Sequence, residues 1–219
     1  MAYRTLLILS GGMDSTTLLH HLRQKGDRIL AISFDYGQRH RKELEYASRS
    51  CGRLEVEHRI VDIRNIGELL QGNALTSKDI EVPDGHYEDE SMRLTVVPNR
   101  NMIMMAIAGG HAISEGCDRL AIAVHAGDHA IYPDCRPDFI EDFERAIKSG
   151  NYESISVYAP FLSWTKSEIV QLGLELGINY DEETWSCYKG GAEPCGTCGT
   201  CVERAEALMA AAQQRVNEK

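Results

Sequence analysis

Three features of the sequence predict an α/β chain with a doubly wound, mostly parallel sheet. The first is an apolar run, Thr5-Leu6-Leu7-Ile8-Leu9, that breaks at two glycines and resumes as a helical leucine pattern. The second is the recurrence of strand-then-helix order along the chain, which implies parallel pairing through right-handed crossovers. The third is a crowd of four cysteines near the C-terminal end, which marks a zinc knuckle leading into a helix. Together they predict one domain over 1–219, with 185–219 as a zinc-binding C-terminal segment.

The first unit carries the most information. Thr5 to Leu9 is short and rich in branched residues, as a buried strand requires. Ser10-Gly11-Gly12-Met13-Asp14-Ser15 follows, and then Thr16 to Leu22 with leucines at helical spacing. Two glycines let the backbone turn sharply and approach a ligand. The free N–H groups of the first helical turn, together with the helix dipole, favour an anion there. Ser10, Ser15 and Thr16 add hydroxyls, so the stretch reads as a phosphate cradle. Neither G-x-x-x-x-G-K-[ST] nor G-x-G-x-x-G is present. S-G-G-x-D-S resembles the pyrophosphate loop of the N-type ATP pyrophosphatases, and Asp14 fits a Mg²⁺ contact beside substrate phosphates. The competing reading is a serine- and aspartate-capped helix after a glycine turn.

Ile29 to Phe34 predicts the second strand, Arg39 to Arg49 a charged amphipathic helix, and Glu55 to Val61 the third strand. Asp35, Tyr36 and Gln38, just past a strand end, are candidates for the base side of a nucleotide or, equally, a polar turn. From Gln71 to Leu94 periodicity is lost, which predicts a long functional loop or lid, or a partly disordered insertion. Glu88-Asp89-Glu90 reads as a solvated charge run. Pro98 and Asn99 introduce a buried helix whose methionines are core filling. Arg100, at its start, is positioned to grip phosphate or carboxylate through paired donors.

Arg119 to Val124 predicts the next strand. Its end offers His125, Asp128, His129, Tyr132, Asp134 and Arg136 within twelve residues. Asp128, Tyr132, Asp134 and Arg136 are taken as the substrate-recognition group, and the two histidines as structural. Phe139 to Ile147 reads as a helix, Ser156 to Phe161 as a last strand. Thr165 is the expected N-cap of another helix. Lys166 sits in its first turn, against the dipole, which a phosphate in the crevice would justify.

Cys187, Cys195, Cys198 and Cys201 form C-x7-C-x2-C-x2-C on a glycine-rich turn. Four soft ligands at this spacing suit tetrahedral zinc with no open position, hence a structural site. An iron–sulfur cluster uses the same donors and is the rival. Seven cysteines without a secretory leader argue against a disulfide framework. No apolar run approaches a membrane span, so a soluble, cytoplasmic protein is expected. The net charge of −10 argues against a nucleic-acid partner held by a broad basic surface.

With these pieces in order, the chain resembles the 7-cyano-7-deazaguanine synthases. The resemblance rests on Ser10 to Ser15, Phe34 to His40, Val97 to Asn101, Tyr132 to Arg136 and the four cysteines. It departs at Asn99, where the family commonly has glycine. Asparagine tolerates the left-handed backbone, so the turn is expected to survive. The resemblance implies an adenine nucleotide alpha hydrolase-like fold and an ATP-dependent ligase acting on 7-carboxy-7-deazaguanine and ammonia. Acid and then amide would be adenylated, releasing AMP and diphosphate. It places ATP on Leu9, Ser10, Gly11, Gly12, Met13, Asp14, Ser15, Thr16, Thr17, Leu18 and Leu19, with Lys166 and Arg100 neutralising charge. It also implies a homodimer. The motifs leave the nucleophile open: an enzyme that stops at the amide, or joins the acid to another amine, even on a protein, carries the same residues. A tRNA-modifying relative or a nucleotide-sensing module shares the loop.

Overall fold

A computed structural model describes residues 2–217. In chain order the regular elements are β1 (Arg4–Ile8), α1 (Met13–Gln24), β2 (Arg28–Asp35), α2 (Glu43–Leu54), β3 (Glu57–Asp62), α3 (Arg64–Gly67), α4 (Arg100–Ser114), β4 (Arg119–Ala121), α5 (Pro137–Ser149), β5 (Ser156–Tyr158), α6 (Lys166–Glu175), α7 (Tyr180–Glu183) and α8 (Gly199–Asn217). The strands form one sheet in the order β3-β2-β1-β4-β5, and every neighbouring pair is parallel. From β1 the chain winds outward through β2 and β3, then crosses back to place β4 on the other flank of β1. The carboxyl ends of β1 and β4 thus flank the point where the winding reverses, the usual ligand crevice of open α/β sheets.

Alternate side chains of β1 feed opposite layers, as a strand covered on both faces requires. Leu6 packs with Met105, Ala108 and Ala112 of α4 and with Ile140, Phe143 and Ile147 of α5. Leu7 packs with Leu18, Leu19 and Leu22 of α1 and with Ile169 of α6. α8 lies outside α6, its Ala207 and Ala211 seated on Val170, Ile178, Tyr180 and Met13. Beneath the sheet's lower end, Asp27 is paired with Arg119 and hydrogen-bonded by Thr5 Oγ1 (2.6 Å). The guanidinium is flanked by the rings of Tyr3 (4.3 Å) and Tyr158 (3.9 Å). Among the described residues no helix is long and apolar enough to cross a membrane.

The expected elements are present with shifted ends, each for a local reason. α2 starts at Glu43 rather than Arg39, because residues 40–45 first run through turns in which Glu43 N–H reaches His40 O and Leu44 N–H reaches Arg41 O. β4 ends at Ala121: Ile122 still bonds Tyr158 O (3.1 Å), but the chain then bends into the short turn Ala126–Ala130. Asn99 is left-handed at φ 59, as its side chain permits. The 71–94 segment has no strand or α-helix until the 3₁₀ turn Glu90–Thr95, yet it is packed. Asn73 Oδ1 accepts the N–H groups of Leu75 and Thr76, Ala74 and Leu75 are fully buried, and Gly85 N–H bonds Thr197 O. Glu88, Asp89 and Glu90 are exposed, as expected of a solvated run.

Candidate active site

The loop after β1 is clasped by Ser15. Its Oγ accepts the N–H groups of Ser10 and Gly11 (3.2 Å each) and lies 2.9 Å from Ser10 Oγ. Gly11 has φ +92, and a Cβ there would sit 2.1 Å from Glu43 O of α2, so only glycine lets the loop lie against that helix. Gly12 is the N-cap of α1, and no side chain caps it. The capped-helix reading of the loop is therefore not what the fold builds. The first-turn N–H groups of α1 remain for a ligand.

Of the eleven loop and helix residues, Leu9, Ser10, Asp14 and Ser15 line a cavity over the carboxyl ends of β1 and β4. Gly11 and Gly12 make the turn. Met13 packs against α6 and α8. Thr16 is fully buried, Thr17 Oγ1 bonds Met13 O and Tyr180 Oη, and Leu18 and Leu19 belong to the core. The side chains from Thr16 onward therefore hold the helix rather than face the cavity.

Lys166 reaches the loop because Thr165 caps α6. Thr165 Oγ1 accepts Glu168 N–H while Glu168 Oε2 accepts Thr165 N–H at 2.7 Å, a capping box. Lys166 Nζ then lies 2.6 Å from Asp14 Oδ2 and 3.2 Å from Glu203 Oε2. Burial works against the ammonium, but Asp14 and Glu203 outweigh it and hold Lys166 well above an ordinary lysine. Burial likewise opposes the Asp14 carboxylate, and Lys166 and His125 overcome it, so Asp14 titrates below its ordinary value. Glu203 is raised, since burial dominates there. His125 is 1% exposed; its Nδ1 accepts Gly127 N–H at 3.1 Å, which turns Nε2 toward Asp128 (3.5 Å), Glu203 (3.8 Å) and Asp14 (4.0 Å). Asp128 in turn accepts His125 N–H and Tyr87 Oη–H (3.1 Å each).

On the opposite side of the cavity Arg100, first residue of α4, lies among Tyr36, Tyr132 and Tyr188, 3.5 Å from Tyr36 Oη. Tyr36 is pushed up to about 12 by burial. The space open to water-sized groups is about 190 Å³, and it widens into an open mouth. Of the expected recognition group, Asp128 and Tyr132 line it. Asp134 instead accepts Asn101 N–H at 2.9 Å and so fixes the start of α4. Arg136 Nε donates to His129 O on the exterior. Gln38 and Asp35 are turn-makers: Gln38 Oε1 accepts Tyr36 N–H, and Asp35 Oδ1 accepts Gly37 N–H.

The sequence reading missed Glu203 altogether and left His125 as structural. Glu203 offers no local signal, because only α8's packing brings it to Lys166. His125 had one: a histidine directly after the predicted strand Arg119 to Val124 and two residues before a glycine, where a Cβ would lie 2.8 Å from its ring.

The four cysteine sulfurs lie within 4.8 Å of one another, with Cys195 Sγ 3.9 Å from Cys201 Sγ. Tetrahedral Zn–S bonds of about 2.3 Å put sulfurs about 3.8 Å apart, so the donor set fits one metal ion. The N–H groups of Thr197 and Cys198 reach Cys195 Sγ at 3.4 and 3.3 Å, the support that metal thiolates receive.

A family model described as "Queuosine biosynthesis protein QueC" matches residues 4–212. The 7-cyano-7-deazaguanine synthase of Hahella chejuensis is 53% identical over 205 residues, covering 94% of this chain and 88% of that protein. That of Caldicellulosiruptor bescii is 50% identical over 205 residues, covering 94% and 92%. Among solved structures, the NH3-dependent NAD synthetase of Campylobacter jejuni has TM-score 0.50 at 18% identity, over 100% of this chain and 80% of its own. A 4-thiouridine synthetase in an RNA complex with bound ATP gives 0.51 at 18%, over 98% and 52%. At that identity the two structures share the fold alone. The family match and these relatives both span nearly the full length, and the chain belongs to the QueC family, the 7-cyano-7-deazaguanine synthases of queuosine biosynthesis.

Proposed function

We propose that the strand-end cavity performs this synthesis by adenylating its substrate twice, from 7-carboxy-7-deazaguanine, ammonia and two ATP. A carboxylate is a poor electrophile, and AMP makes it a workable one. The carboxylate oxygen attacks the α-phosphorus of ATP and diphosphate leaves. Ammonia adds to the carbonyl carbon, loses a proton, and AMP departs to leave the amide. The amide oxygen then attacks a second α-phosphorus. Loss of AMP and of the two amide protons leaves the nitrile.

The observation that carries this reading is the joining of Asp14 and Lys166 beside an uncapped α1 N-terminus. The loop N–H groups receive the phosphates, and Lys166 bears on the charge of the departing diphosphate, the electrostatic work that dominates phosphoryl transfer. Arg100 faces the substrate carboxylate across the cavity. Asp14 Oδ1 is buried without a partner, which fits a Mg²⁺ bound with the phosphates; that ion would supply further charge neutralisation. Cys187, Cys195, Cys198 and Cys201 would hold a structural zinc. We infer a homodimer, no direct nucleic-acid contact and, from seven cysteines none of which is joined in a disulfide and the use of ATP, a cytoplasmic setting.

The test is incubation with ATP, Mg²⁺, ammonium and 7-carboxy-7-deazaguanine, read by mass spectrometry. The expected result is the nitrile with two AMP per product. ADP in place of AMP overturns the chemistry, and an amide that never proceeds to nitrile assigns a truncated reaction.

A further inference from the structure

The turn after β2 sends two polar side chains into the cavity that the phosphate chemistry does not use. Gln38 holds the turn from both sides, accepting Tyr36 N–H and donating to Phe34 O. Arg39 is then drawn outward onto the carbonyls of Ser77 and Ile80, and His40 is turned inward, 3% exposed. His40 Nε2 lies 3.4 Å from Glu43 Oε1, while its Nδ1 is buried with no partner. Its ring lies 4.9 Å from that of Tyr188 and 6.5 Å, edge on, from that of Tyr36. All four side chains line the cavity.

An orphaned buried nitrogen beside a buried carboxyl is costly unless a ligand completes it. The tautomer that places Nε2–H on Glu43 leaves Nδ1 as an acceptor. The Glu43 oxygens add further acceptors, so the His40–Glu43 corner itself presents acceptors, while Arg100, whose charge acts on both groups, is the donor beyond Tyr36. Phosphate and carboxylate, which are themselves acceptors, find their partner at Arg100 and not at this corner. Adenine offers one amino group between ring acceptors. A guanine-type edge offers the ring N1–H and both hydrogens of the 2-amino group side by side, and aromatic rings suit its faces.

We propose that Glu43 and His40 form the subsite that reads the N1–H and 2-amino edge of the deazaguanine, with Tyr36 and Tyr188 against the bicycle. C7 lies on the far side of the ring from the 2-amino group, so an edge held at Glu43 turns the reacting carboxylate away from it. Burial pushes the empty Glu43 carboxyl up to about 8 and His40 down to about 3, so the empty pair is uncharged, and N–H donors of a bound ligand favour the ionised, acceptor-only form of Glu43. The inference rests on the function proposed above.

The test compares wild type, Glu43→Gln and His40→Asn on 7-carboxy-7-deazaguanine and on its analogue lacking the 2-amino group, with KM for each base and for ATP. The expected result is a KM for the natural base raised by roughly tenfold or more in both variants, since a site built for hydrogen bonds rejects what cannot make them. The KM for ATP stays within about twofold. Wild type discriminates against the analogue, and Glu43→Gln loses that discrimination, which a merely misfolded variant does not do. Unchanged discrimination in Glu43→Gln overturns the proposal, and a rise confined to the KM for ATP reassigns the subsite to adenine. Wild type that forms no AMP from the natural base refutes the proposed function itself.

Discussion

Lys166→Met removes an ammonium that touches both Asp14 and Glu203 while keeping the side chain's length. Two effects follow and can be separated. In the folded protein, two carboxylates lose their common partner beside a third, Asp128. Removing one member of a fully buried ion pair costs about 3–5 kcal/mol. Lys166, Asp14 and Glu203 keep 16%, 20% and 14% of their side-chain exposure, so solvent relieves part of that, and about 2–3 kcal/mol remains. For a chain of this size that is a fall in Tm of roughly 4–12 °C. In the reaction, loss of a charge aimed at departing diphosphate lowers kcat by about 10²–10³.

The pH dependence carries a sign. Lys166 holds the Asp14 carboxyl below its ordinary value, so this stabilisation is present above the unfolded value and is lost as pH falls through the folded one. The Tm gap between wild type and variant should therefore be widest near neutrality and close on acidification. The assay is AMP release with ATP binding measured separately by calorimetry, together with melting curves at several pH values. Lys166→Met that keeps kcat within threefold of wild type, with a Tm gap insensitive to pH, would falsify the placement of this lysine against the phosphates.

Further outcomes are expected elsewhere. Gly11→Ala meets both a φ of +92 and a Cβ 2.1 Å from Glu43 O, so ATP affinity should be lost, with at least about 2 kcal/mol of stability; unchanged ATP binding by calorimetry would contradict the close approach. Chelation, or Cys198→Ser, should release about one zinc per chain by metal analysis and lower Tm, because binding energy of a four-thiolate site is also folding energy; a protein with no bound metal and full stability would oppose the knuckle. Asp27→Asn breaks the buried contact with Arg119 and should cost about 3 kcal/mol by urea denaturation. Burial opposes the Asp27 carboxylate, but Thr5 and Arg119 hold it below its ordinary value, so the wild-type advantage should be present at neutral pH and vanish as pH falls through that lowered value.

What the sequence reveals of this fold is what is local. The glycine loop, Thr165 as a cap, the left-handed turn at Asn99 and the cysteine cluster each announce themselves within a few residues, because backbone conformation and ligand spacing act at that range. The burial of Arg100 and the ion pair of Lys166 were legible only as oddities of charge at helix starts. Glu203 was not legible, since two packed helices bring it 37 residues down the chain from Lys166. Asp134 and Arg136 share a polar stretch with Tyr132, but adjacent residues on a tight turn point in different directions, and only the fold sorts cavity from scaffold.

The strap carrying Tyr87 is moored to the cysteine knuckle at two adjacent points, through the bridge of Asp84 to Cys198 and the bond of Gly85 to Thr197. Tyr87 is in turn the tyrosine that Asp128 holds over the cavity. A molecule starved of metal would thus keep its sheet, and look native by circular dichroism, while its roof came adrift. Preparations of equal fold content and unequal metal load should differ in how well they shut water out of the reaction.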